Sequence, residues 1–265
     1  MKPWLIMSIM LLPAIRLTPN AHAQETTTRA EKDTVVLVHG LVRTSRSMAK
    51  MARTLEQDGY TVINIDYPSR SAGIEELTEQ VFDTLVPMIR EKNTVHFVTH
   101  SLGGILLRQY LEEHELPNLG RVVMLAPPNR GSDIPDKLGR IFLYQWINGP
   151  AGNQLGTGSE SLPLRLSTPA FELGIIAGDR SINPILSLLI PGPDDGKVSP
   201  AQAKPDAYTD YLLVHATHAC MMRNRKVIAQ TRYFLENGTF NRTDGTAAQK
   251  TEYPLPEQKE TPHGP

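Results

Sequence analysis

The sequence predicts an α/β architecture: a doubly wound, mostly parallel sheet with helices on both faces and a small lid or cap insert. Three observations carry this expectation. Runs rich in β-branched residues lack polar alternation, as in "TVVLVH" at 34–39, and strands of that kind are buried on both faces. Between them lie segments whose apolar positions recur at helical spacing. The two kinds alternate along the chain, and repeated β-α-β order implies parallel strands joined by crossover helices.

The elements follow in order. After the strand at 34–39, Met48, Met51, Ala52 and Leu55 predict a helix over 45–58 that Gly59 closes. "TVINIDYP" predicts a second strand, halted by Pro68. A helix from Ile74 to about Arg90, the strand "TVHFVTH" and a helix from Leu102 to about His114 come next. The strands "RVVMLAP", "FELGIIAG" and "YLLVHA" and a last helix from about Met222 to Leu235 complete the pattern. Residues 128–170 form a long insert containing "IFLYQWI". A connection of that length is uncommon unless it is a lid or binding segment. Its Phe142, Tyr144 and Trp146 fit either a cover over a site or the packed face of an ordinary helix.

Bulk properties narrow the function. The chain has 265 residues, 40% hydrophobic and 21% charged, with a formal net charge of -1. These values suit one main domain, over 24–240, and offer no nucleic-acid footprint. Lys2, the apolar run Trp4 to Leu12, and small residues at Ala21 and Ala23 predict a signal peptide, 1–23, and an exported protein, periplasmic or secreted. Arg16 leaves that run short of the roughly 20 apolar residues a membrane span needs. The polar, proline-containing stretch 241–265 predicts a disordered tail. Cys220 is the only cysteine, so an intramolecular disulfide is excluded, and the residue is expected to be small and buried. No calcium or zinc ligand spacing occurs and no cofactor is required. Membrane contact is allowed but not required, and oligomeric state is not encoded legibly.

The chemistry centres on "VTHSLGG", where a strand meets a helix at Ser101. A serine hydroxyl becomes a nucleophile only with a histidine to take its proton, a carboxylate to orient that histidine, and backbone donors for the negative oxygen. In a strand-to-helix elbow the neighbours must be small. Gly103 and Gly104 satisfy this on the helix side, whereas Thr99 stands where G-x-S-x-G places a glycine. Ser101 therefore reads as a nucleophile or as a turn serine capping the helix. Donors for an oxyanion are expected at Leu102 N–H, at the helix start, and Leu41 N–H, in the turn after "VLVHG". For the base, His218 lies in the loop above the last strand, and His215 is still on it. His39, His96 and His100 read as structural. For the acid, Asp195 in "PDDGKVS" competes with Asp179 and Asp194, and the order Ser, Asp, His favours Asp195.

These stretches, with "VVLVHGLVRTSRSM", "VINIDYPSR", "VVMLAPPNRGSD" and "THACMM", resemble the α/β-hydrolase superfamily. Within it they resemble the bacterial lipase/esterase-like group related to class 2 lipases and PGAP1-like hydrolases. The resemblance spans about Val35 to Leu235. It implies Ser101 as nucleophile, Asp195 as acid, His218 as base and the Leu41 and Leu102 N–H groups as oxyanion hole. It also implies "VTHSLGG" as an accepted form of the elbow. The expected activity is cleavage of carboxylic esters, on a small-molecule or lipid substrate, through an acyl-enzyme. Acyl transfer by the same triad and a noncatalytic binding protein on the same fold are the alternatives.

Overall fold

The computed structural model of the protein describes residues 32–243. The signal-peptide expectation and the tail beyond 243 lie outside the described residues. Six strands form one sheet in the order β2-β1-β3-β4-β5-β6. They are β1 (Lys32–Val38), β2 (Tyr60–Ile65), β3 (Val95–His100), β4 (Leu119–Leu125), β5 (Leu173–Gly178) and β6 (Asp210–Val214). Every pairing among them is parallel, so all strand C-termini open on one edge. The strand order reverses at β1, and ligands of such sheets bind beyond that edge.

Burial on both faces explains the unbroken apolar strands. One face of the sheet, with Val36, Val38, Phe97, Val122, Met124 and Ile175, packs under α2 (Ile74–Ile89) and α3 (Leu102–Glu113). The opposite face, with Val35, Leu37, Val98, Val123, Leu125 and Ile176, packs under α1 (Ala49–Gln57) and α8 (Arg225–Asn237). Adjacent strand residues therefore feed different cores. The helix expected from Ser45 opens instead as a 3₁₀ turn, Ser45–Ser47, before α1 begins.

The helix expected from Met222 is also divided. A 3₁₀ turn spans His218–Arg223, and α8 starts afresh after Asn224, whose side chain accepts from the Lys226 and Val227 N–H groups. An N-cap of that kind satisfies donors a continuing helix would have paired, so the chain restarts there. In the turn Met221 and Met222 face the core and Cys220 faces out. The expectation of a buried thiol is corrected on that ground.

The insert 128–170 carries α4 (Asp133–Leu138), α5 (Phe142–Asn153) and α6 (Leu162–Arg165), and α7 (Pro184–Ser187) follows β5. α5 is kinked at Gly149, with φ 66°, just before Pro150. Two of its aromatics do not serve a core, Phe142 being 78% and Trp146 64% exposed, whereas Tyr144 is half-buried. Arg108 of α3 ties the insert to the domain. Its guanidinium donates to Asn129 Oδ1 and to the Leu166 and Ser167 carbonyls, and burial lowers its pKa to about 10.

Candidate active site

The candidate residues sit at the C-terminal ends of β1, β3, β5 and β6. Three non-glycine residues of positive φ occur at strand ends or in the loop just beyond them: Val42 at 56°, Ser101 at 52° and Ala126 at 46°. Such backbone costs of order 1–3 kcal/mol per residue and persists where the surroundings over-determine it. Ser101 is held by its N–H bond to Leu125 O and by Gly104 N–H on its own carbonyl.

The elbow explains how Thr99 is accommodated. A Cβ at Gly103 would meet Val38 O at 2.5 Å, so α3 crosses directly against the end of β1. A Cβ at Gly104 would meet Thr99 Oγ1 and Met124 Sδ, each at 3.1 Å. Space that the glycine signature provides on the strand is provided here partly by the second glycine of the helix. The Thr99 hydroxyl pays for this placement by lying buried with no hydrogen-bond partner among the described residues.

Ser101 Oγ and His218 Nε2 are 3.0 Å apart, and His218 Nδ1 lies 2.8 Å from Asp195 Oδ2. All three side chains are buried. Asp195 accepts further bonds at Oδ1 from the Lys197 and Val198 N–H groups, so both its oxygens are engaged. The carboxylate requires a donor at Nδ1, which leaves Nε2 to accept from the serine hydroxyl. The other acids fall elsewhere. Asp194 takes Ser187 Oγ–H and Gly196 N–H in the turn before Asp195. Asp179 pairs with His215 at 3.0 Å, where the His215 side chain is 73% exposed.

The structural histidines shape the loops around this series. His39 stacks on Tyr67 at 4.2 Å between centroids, accepts Tyr67 N–H at Nε2 and bonds Gly40 O through Nδ1. Burial lowers its pKa. Tyr67 OH in turn donates to His39 O, and Ser69 Oγ accepts from Val42 N–H. Together they hold the turn that carries Leu41. No bond from Leu41 N–H occurs among the described residues, and Leu102 N–H opens α3, where the first donors have no partner within the helix. His100 lies behind His218, its Nε2–H donating to His218 O at 3.1 Å. Burial, with the His218 and Arg43 charges adding, holds it well below its ordinary pKa and therefore neutral.

Ser101 opens into a cavity of about 450 Å³ lined by Leu41, Ile134, Leu143, Ile147, Leu155 and Val198 among others. The lining is mostly apolar, with Ser101, Ser132, Asn148 and Lys197 among its polar members. Burial and the Arg43 charge depress the Lys197 pKa, and Asp195 opposes them. Reasoning from sequence overlooks Lys197, Tyr67 and Ser69. The last two lie within "VINIDYPSR", whose proximity to the site was the available signal. Among the described residues no cluster of side chains fits a metal ion.

The chain is similar to several known proteins. Residues 34–154 match the family described as palmitoyl protein thioesterase. The chain is similar to the human lysosomal thioesterase PPT2, 26% identical over 232 residues, covering 76% of this chain and 74% of that one. Among solved structures it is similar to the mature Bacillus licheniformis lipase BlEst2, with TM-score 0.62 and 20% identity over 80% of this chain and 94% of that one. A metagenomic carboxyl esterase gives TM-score 0.58 and 20% identity, covering 71% of this chain and 65% of that one. At such identities the structural likenesses speak for the fold.

Proposed function

We propose that this chain, whose fold is that of the α/β-hydrolases, hydrolyses acyl esters, thioesters included, through an acyl-enzyme on Ser101. The observation that carries this reading is the hydrogen-bonded series Ser101, His218, Asp195, whose serine lines a largely apolar cavity. His218 Nε2 takes the Ser101 proton as Oγ attacks the acyl carbon, and Asp195 holds the imidazole in the tautomer that can do so. The Leu41 and Leu102 N–H groups receive the negative oxygen. The protonated His218 then gives its proton to the leaving alcohol or thiol. Water, deprotonated by the same nitrogen, releases the acid and restores the serine.

The apolar cavity lies within the roughly 300–1,000 Å³ range of ligand sites and suits the acyl chain. Similarity to thioesterases favours including thioesters beside the carboxylic esters expected from sequence. A fluorophosphonate probe should label Ser101, and Ser101→Ala should lower turnover of matched ester and thioester substrates on the order of 10⁴-fold or more. A folded protein that resists the probe and hydrolyses neither substrate would favour a binding role. Export after cleavage behind Ala23 forms part of the same proposal, and an N-terminus at Gln24 in the mature protein tests it.

A further inference from the structure

A second cavity adjoins the first. It is a cleft of about 1000 Å³ that begins one residue beyond Leu41, at Val42, and one residue beyond His218, at Ala219. Its charged lining is Arg43, Arg46, Arg70 and Arg223 against the single carboxylate Asp66. On a chain whose formal net charge is -1, this is a concentrated positive field.

Among the described residues, no carboxylate lies within ion-pair distance of any of these four guanidinium groups. Asp66 accepts Ser45 N–H at 2.7 Å, lies 3.5 Å from His39 Nε2, and feels the Arg46 charge without an ion-pair contact. Arg70 is held in place, donating to Trp146 O at 2.7 Å with its guanidinium 5.8 Å from the Trp146 ring centroid. The Arg43 charge reaches Lys197, which lines the first cavity, and His100 behind His218. Several unpaired planar forks beside a reacting bond suit an anion with many acceptor oxygens.

We propose that this arginine cleft is the leaving-group subsite and that it selects acyl esters or thioesters whose alcohol or thiol carries phosphate. The inference rests on the hydrolase reading above. The acyl chain enters the apolar cavity, the scissile carbonyl meets Ser101, and the phosphorylated portion lies across Arg43 and Arg223. The shared chemistry is phosphate, whether on a soluble carrier or in a lipid headgroup.

Matched substrates test it. One pair is the same acyl thioester on coenzyme A and on unphosphorylated pantetheine. The other is a lysophosphatidylglycerol and the monoacylglycerol of equal chain length. For at least one pair, kcat/KM should favour the phosphorylated member by about tenfold or more at low salt, and the preference should shrink as salt rises. The double substitution Arg43→Gln, Arg223→Gln should cut that ratio by about tenfold. The responding pair identifies the carrier. Ratios near one in both pairs, with neutral substrates hydrolysed, would overturn the subsite and leave the hydrolase reading standing. Binding of free coenzyme A and of glycerophosphoglycerol to the Ser101→Ala protein supplies a readout independent of turnover. Arginine-dependent binding of either compound without turnover by the wild type would keep the subsite and remove the hydrolase reading. Absence of binding by both would overturn the subsite.

Discussion

His218 and Asp195 are joined twice: the imidazole Nδ1 lies 2.8 Å from Asp195 Oδ2, and the His218 backbone N–H donates to the Asp195 carbonyl at 2.8 Å. The loop after β6 is thus pinned to the acid loop by main chain as well as side chain. Asp195 Oδ1 meanwhile faces the Lys197 and Val198 N–H groups. In Asp195→Asn those two donors would keep the amide oxygen and turn the amide NH₂ toward His218. The imidazole would then present an acceptor at Nδ1 and carry its proton on Nε2, where it cannot take the serine proton. Ester turnover should fall on the order of 10⁴-fold, while thermal unfolding of the variant stays close to wild type. An Asp195→Asn protein with near-native kcat would show that the carboxylate does not set the tautomer.

The elbow offers a test of packing. Thr99 Oγ1 sits 3.1 Å from the position of a Cβ on Gly104 and has no hydrogen-bond partner among the described residues. Thr99→Val keeps the shape and removes the unpaired hydroxyl, so denaturant unfolding should show stability unchanged or raised by up to about 1 kcal/mol. Gly104→Ala gains helix propensity and loses it again to crowding. In a Thr99→Gly background the crowding is relieved. A double-mutant cycle should therefore give a favourable coupling of about 0.5 kcal/mol or more. Strict additivity would mean that Thr99 is accommodated in some other way.

Acid should destabilise the fold before any carboxylate is protonated. His39, His96 and His100 are all held below their ordinary pKa of 6.5, chiefly by burial. Above pH 6.5 these groups are neutral in both folded and unfolded chains and make no difference. As pH falls through 6.5 the unfolded chain binds protons that the folded chain refuses, so stability declines toward the lower folded values. The limiting slope is about 1.4 kcal/mol per pH unit for each histidine, or about 4 for the three. Urea midpoints measured from pH 7.5 to 5 should fall accordingly, and His100→Asn should flatten the curve by roughly one proton's share. A midpoint constant over that range would refute the assignment of neutral buried rings.

The strands are legible in the sequence because burial on both faces leaves a continuous apolar run, and "TVVLVH" and "TVHFVTH" need no tertiary knowledge to be seen. Ser101 and His218 are legible for a related reason: in a parallel sheet the residues just past strand ends converge on one edge. Asp195 is harder, since Asp179 also follows β5, and only the fold shows Asp179 meeting exposed His215 while Asp195 reaches His218. The break at Asn224 and the outward turn of Cys220 escape sequence reasoning because a 3₁₀ turn shares its residues with an α pattern. Arg43 and Lys197 escape it because they are brought together from loops 154 positions apart by contacts that leave no periodic trace.

The shape of the apolar cavity bears on chain length. Its walls come largely from the insert, through Ile134, Leu143, Ile147 and Leu155, with Leu41 and Val198 completing the apolar lining. Each methylene moved from water into such walls contributes about 0.8 kcal/mol, close to a fourfold gain in kcat/KM while space remains. Across a series of p-nitrophenyl esters, kcat/KM should climb by about that factor per added CH₂ and then level off once the cavity is filled. Ile147 is 39% exposed at the rim, so Ile147→Asp can fold while placing a charge where the chain must pass. Its penalty should be about tenfold or more for a long-chain ester and much smaller for the acetate, because only the long chain must desolvate the new carboxylate. An equal loss on both esters would place the acyl chain outside this cavity and direct attention to the arginine cleft instead.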